Sequence, residues 1–123
     1  MSSEKLIVFE GQKYLCLETY KKNGQGVKTP VWFVISTGVI YVATAESSGK
    51  VKRLNYNKSV RITPSNFKGE SKGEWMEGQA FFGNESELNL TISLRNKKYG
   101  LLSKIIGMFV SRKEKIVSIG IKI

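Results

Sequence analysis

The last eight residues, Ile116 to Ile123, alternate strictly, with Val117, Ile119, Ile121 and Ile123 on one side and Ser118, Gly120 and Lys122 on the other. A period of two puts all four apolar side chains on one face of a strand, a pattern no helix uses. Lys13 to Tyr20 repeats it with Leu15, Leu17 and Thr19. Between these runs the chain is cut into short pieces by turn signals. Asn23-Gly24 with Gly26 supplies a hairpin reversal, Thr37-Gly38 turns the chain into Val39 to Thr44, and Pro64 ends the run Val60 to Thr63. Val31-Trp32-Phe33-Val34-Ile35 reads as an interior strand entered through Pro30, and Trp75 to Phe82 as a long bent strand after Gly69 and Gly73, with Gly78 within it. Lys5 to Phe9 covers the fold or begins a strand, and helical elements fall around Leu90, Leu94 and Leu101. Several short strands with few short helices predict a mainly β fold, a small barrel. A length of 123 residues fits a single domain spanning 1–123.

Composition removes several chemistries. There is no His, and all ten acidic residues are Glu. A Ser-His-Asp triad, a His metal cage and an EF-hand are therefore excluded. The lone Cys16 has no partner for a disulfide within the chain and reads as an inert strand residue. Twenty Lys and Arg give a formal net charge of +10, which attracts phosphates and carboxylates without saying what carries them. No stretch is long and apolar enough to span a bilayer, and the first residues lack the apolar core of a signal peptide, so the expected location is cytoplasmic.

Chemistry concentrates between Ser47 and Arg53. Ser48 is a natural N-cap for a short helix over Lys50 to Leu54, with Val51 and Leu54 on one side. Hydroxyls at Ser47 and Ser48, a close-approach glycine at Gly49, the helix-start N–H groups and the cations Lys50, Lys52 and Arg53 are the ingredients of a phosphate site. The bland alternative is a solvated basic helix. The order Ser48-Gly49-Lys50 lacks the frame of a P-loop, so nucleotide hydrolysis gains nothing from it. Thr29-Pro30-Val31-Trp32 offers an apolar edge against which a flat heteroaromatic ring can lie, or else simply an aromatic core strand. Trp75 either closes a pocket or packs internally. Basic and aromatic residues also permit a nucleic-acid-binding β-barrel, but no extended Lys/Arg stripe or binding motif selects that reading, and no specific nucleic-acid or membrane partner is expected.

Taken in order, Thr29-Pro30-Val31-Trp32-Phe33, Gly38 to Thr44, Ser48-Gly49-Lys50-Val51-Lys52-Arg53-Leu54, Val60 to Pro64, Gly73 to Ala80 and Lys98-Tyr99-Gly100 resemble a known family. It is the flavin/deazaflavin oxidoreductase branch of the pyridoxamine 5'-phosphate oxidase-like split-barrel superfamily. The resemblance covers about Lys13 to Gly100 and implies a Greek-key split β-barrel with short helices. It also implies a homodimer holding FMN or the deazaflavin coenzyme F420 at the subunit interface. On the matching positions, Ser48 and Lys50 would contact the cofactor phosphate, and Lys52 and Arg53 would help orient it. Thr29, Pro30 and Val31 would follow the ring edge with Trp32 behind them. Thr44 to Ser47 would approach the ribityl chain, and Trp75 would contribute from the partner. Lys98 and Tyr99 would serve dimer packing or the outer cleft. The activity implied is hydride transfer to a small organic acceptor, with no catalytic side chain assigned because the cofactor carries the reaction. A non-catalytic flavin carrier, storage or sensing protein is the alternative. The short amino-terminal region leaves the substrate class unassigned, and the absent His and Asp with an incomplete substrate-recognition pattern argue against genuine pyridoxamine 5'-phosphate oxidation.

Overall fold

A computed structural model of the chain describes residues 2–110 and 115–123. The elements are α1 (Ser2–Leu6) with a 3-10 turn (Ile7–Phe9), β1 (Tyr14–Tyr20), β2 (Gly26–Val31), β3 (Val34–Ser36), β4 (Val39–Ala45), α2 (Gly49–Tyr56), β5 (Ser59–Ser65), β6 (Met76–Phe82), α3 (Glu85–Val110) and β7 (Ile116–Lys122). All strand pairs are antiparallel, in one seven-stranded sheet of order β2-β1-β5-β6-β7-β4-β3. One crossover runs through α2, from β4 to β5, and α3 links the neighbouring strands β6 and β7.

Connectivity forces this sheet to curl. In a flat sheet β2 and β3 would stand six strand spacings apart, about 29 Å. Val31 ends β2 and Val34 begins β3, only three residues on, a span of at most about 11 Å. The two edges must therefore meet, and the sheet closes into a split barrel with Trp32 and Phe33 at the seam. The sequence reading of Val31 to Ile35 as one interior strand is corrected here: the run is broken at Trp32-Phe33, and its two halves are the two edge strands.

Alternation sorts each strand into an inner and an outer face. Leu15, Leu17, Ile40, Val42, Val60, Ile62, Ile119 and Ile121 fill the interior. Val51 and Leu54 of α2 join that core, as do Leu6 and Phe9 from the amino-terminal turns, so Lys5 to Phe9 covers the fold as helix and turn rather than as a strand. Turn chemistry follows the sequence: Thr37 and Gly38 both take positive φ, 48° and 77°, the primed geometry of a tight hairpin between β3 and β4. Pro64, expected to end its strand, lies within β5 opposite Leu15. Its carbonyl accepts from Lys72 N–H at 2.7 Å, so this side of the residue faces the 66–75 loop rather than a paired strand. A missing N–H on that side breaks no ladder bond. Cys16 is buried in β1, as expected, and burial pushes its thiol pKa up.

α3 begins with a reciprocal cap, Glu87 N–H to Asn84 Oδ1 and Asn84 N–H to Glu87 Oε1, both 2.8 Å. It lies against β3, β4 and β7 and is broken at Gly100, whose φ is 65°. Among the described residues no helix is long and apolar enough to cross a membrane.

Candidate functional site

Ser48 caps α2 as its sequence predicts, its hydroxyl accepting from Val51 N–H at 3.4 Å. The hydroxyl of Thr44, at the end of β4, donates to Ser48 Oγ at 3.4 Å, so the strand end and the helix entrance are tied together. The N–H groups of Gly49 and Lys50 precede the first N–H that finds an intrahelical acceptor, Lys52 to Ser48 O, and are available to an anion. Lys50 and Arg53 lie one turn apart on the same face of α2. The Arg53 guanidinium lies over Gly49, where a Cβ would come within 2.8 Å of Nη1, a contact that a small shift of this long side chain would relieve. Arg53 Nε donates to Thr19 Oγ1 at 2.6 Å and anchors the helix to β1.

Electrostatics mark this entrance. Desolvation and then the neighbouring Arg53 pull the Lys50 pKa below its ordinary value. Among the described residues the ion pairs are Arg61–Glu18 and Lys115–Glu46, so neither Lys50 nor Arg53 has a carboxylate partner there. Two half-buried cations one turn apart, on a helix that starts with unpaired N–H groups beside two serine hydroxyls, make a donor set that suits a phosphate.

The predicted residues divide between five places. Thr44, Ser47, Ser48, Lys50 and Arg53 gather at the α2 entrance. Lys52 points elsewhere: two positions beyond Lys50 on a helix is about half a circumference, and it lines a cleft of about 400 Å³ with Asn55, Glu46, Phe82, Val51 and Gly83. Thr29 and Val31 pair with Leu17 and Leu15 and share their inner face, while Pro30 pairs with Cys16 on the outer face. Trp75 is also outside, its ring 5.0 Å from Lys28 Nζ and 5.0 Å from the Arg61 guanidinium carbon.

Trp32 occupies the seam. Its ring stacks on Tyr99 at 4.3 Å and 5°. The Tyr99 hydroxyl accepts from Phe33 N–H at 3.1 Å and has Lys13 O at 2.7 Å, so a single side chain of α3 spans the start of β1 and the link between the sheet edges. Lys98 Nζ donates to Phe33 O at 2.9 Å and lies 3.5 Å from the centroid of the Phe33 ring. Lys98 and Tyr99 therefore clasp the barrel within the chain. No sequence signal pointed to this, because the contacts join residues 65 and more positions apart.

The clasp gives a pH signature. Desolvation lowers the Lys98 pKa to about 8 and raises that of Tyr99 to about 12. Between about pH 8 and pH 10 the unfolded chain holds the Lys98 proton that the folded chain has released, so stability rises with pH. Between about pH 10 and pH 12 the unfolded chain has lost the Tyr99 proton that the folded chain keeps, so stability falls. Urea unfolding of the wild type and Lys98→Met at about pH 7.5 and 9.5 should show the wild type gaining relative to the variant at the higher pH. An unchanged difference would refute the assignment.

This architecture is a split barrel. The solved structures that resemble it include HutZ, the heme storage protein of Vibrio cholerae, at 15% identity and TM-score 0.73 over 98% of this chain and 87% of that one. An FAD-binding protein from Mesorhizobium loti matches at 16% identity and TM-score 0.66 over 100% and 87%. A Listeria innocua protein named as a candidate pyridoxamine 5'-phosphate oxidase matches at 14% identity and TM-score 0.63 over 98% and 90%. No family model matches the sequence, and no curated protein sequence does.

Proposed function

We propose that the chain is a homodimeric oxidoreductase that binds FMN or the deazaflavin coenzyme by its phosphate at the start of α2. The observation that carries this reading is the half-buried Lys50–Arg53 pair without a carboxylate partner among the described residues, set beside a capped helix start. Such a donor set fits a phosphate ester: charge from Lys50 and Arg53, hydroxyls from Ser47 and Ser48, and backbone N–H from Gly49 and Lys50. The FAD-binding and oxidase-named proteins of the same fold make a flavin-type ligand the natural candidate. When bound, the ring supplies the hydride centre. The chain supplies position: Lys50 holds the phosphate, Thr44 keeps Ser48 in place, and the Thr29–Trp32 segment forms the wall for the ring.

Carriage or storage without turnover is the second reading, favoured by the heme storage protein of this fold. Heme itself suits this chain less well, since it has no His to ligate iron and its Cys16 is buried. Lys50→Ala should weaken FMN or deazaflavin binding at least about tenfold, about 1.4 kcal/mol. Lys58→Ala, at an exposed position, should change it less than about twofold. Equal small effects in folded proteins would overturn the phosphate anchor. Reduced cofactor that binds normally but is never reoxidised by quinone-like acceptors would favour the carrier.

A further inference from the structure

Four charged residues lie in one row across the outer face of the open half of the barrel. Lys28 on β2 is in register with Glu18 on β1, Glu18 with Arg61 on β5, and Arg61 with Glu77 on β6. The signs alternate across four neighbouring strands, plus, minus, plus, minus. The inner pair is satisfied within the chain: Arg61 Nη2 meets Glu18 Oε1 at 2.6 Å, Tyr20 adds a hydroxyl at 3.2 Å, and Glu18 is only 6% exposed. The outer pair, Lys28 and Glu77, is exposed. Trp75 lies between Lys28 and Arg61, half-buried, and adds an aromatic ring to this face. Helix α3 packs on the other half of the sheet, against β3, β4 and β7.

This row has a symmetry property. A two-fold axis parallel to the strands, running between β1 and β5, reverses its order, so every plus meets a minus. An axis along the row would set like charges against each other. We infer that the outer face of β2-β1-β5-β6 is the self-association surface, with Lys28 facing the partner's Glu77 at both ends and Trp75 within the contact. Aromatic residues are enriched in such contacts, whose rims are polar. The alternating signs select a second copy of this chain over a partner of uniform charge. This inference rests on the homodimer proposed above and adds the face and the orientation.

Charge reversal separates the two claims. Lys28→Glu and Glu77→Lys, each alone, place like charges together twice and should each raise the dimer dissociation constant at least about tenfold. Mixing the two variants restores opposite charges at both ends, so heterodimers should form with a dissociation constant within about threefold of the wild type. Isotopic labelling of one variant lets native mass spectrometry resolve them, and circular dichroism checks that each is folded. Damage to the fold would not be repaired by mixing. A wild type that is monomeric at all concentrations overturns the homodimer and the face together. A dimer indifferent to both reversals, or two monomeric variants that fail to pair, overturns the face and leaves the homodimer standing.

Discussion

Tyr99→Ala is expected to lower the unfolding free energy by about 3 kcal/mol and the thermal midpoint by roughly 10 °C. Three losses combine. The stack on Trp32, at 4.3 Å and nearly parallel, contributes about 1 kcal/mol. The hydroxyl joins Phe33 N–H to Lys13 O, and its loss leaves two backbone groups at the seam to find other partners, at about 1 to 2 kcal/mol. The remainder is the space left between the helix and the sheet edges. Tyr99→Phe keeps the ring and removes the bridge, so it should cost about half as much. Tyr56→Ala, at a position 63% exposed, should cost little and serves as the reference. Chemical denaturation of the three variants gives the ranking directly. A neutral Tyr99→Phe would show that the hydroxyl does not hold the edges, and a neutral Tyr99→Ala would remove α3 from the closure of the barrel altogether.

The seam also shows where sequence reasoning stops. Alternation made β1 and β7 legible, because a period of two is enforced by burial on one face and survives any change of neighbours. Ser48 was legible for a similarly local reason: a cap needs only its own hydroxyl and an N–H three residues on. Val31 to Ile35 defeated the same approach. Its residues have strand propensity throughout, and only the return of the sheet on itself dictates that the pairing break at Trp32-Phe33. Pro64 continues its strand because its position relative to β6 and the following loop, not its ring, decides whether an N–H is needed. The charge row was hidden because its members come from four strands whose register no local pattern encodes.

The candidate site divides along the same line. Its proposed phosphate end is a run of neighbours, Ser47 to Arg53, legible as a unit. The link from Arg53 to Thr19 is what fixes that unit to the barrel, and it spans 34 residues. Lys52 looked equivalent to Lys50 in the sequence, yet helical geometry turns it toward the cleft with Asn55 and Phe82. A resemblance can assign Trp32 to a cofactor wall. It took the fold to show that Trp32 stacks on a side chain of α3.

The second large effect is expected at Leu54. An eight-residue helix is too short to persist by its own hydrogen bonds, so α2 exists because it docks. Leu54 is fully buried and, with Val51, is the apolar contact through which it does so. Leu54→Ala should cost about 3 kcal/mol, within the range for removing a buried leucine without collapse of the surrounding core. It should also weaken FMN or deazaflavin binding, because Ser48, Lys50 and Arg53 hold their mutual geometry only while the helix is seated. Leu54→Met, which nearly conserves volume, should lose less than about 1.5 kcal/mol and keep its affinity. Denaturation and ligand titration on the two variants read the two consequences separately. If Leu54→Ala lost stability but bound as tightly as the wild type, the phosphate entrance would have to be held by Arg53–Thr19 and Thr44–Ser48 alone. If it lost neither, docking of α2 could not be what organises this end of the barrel.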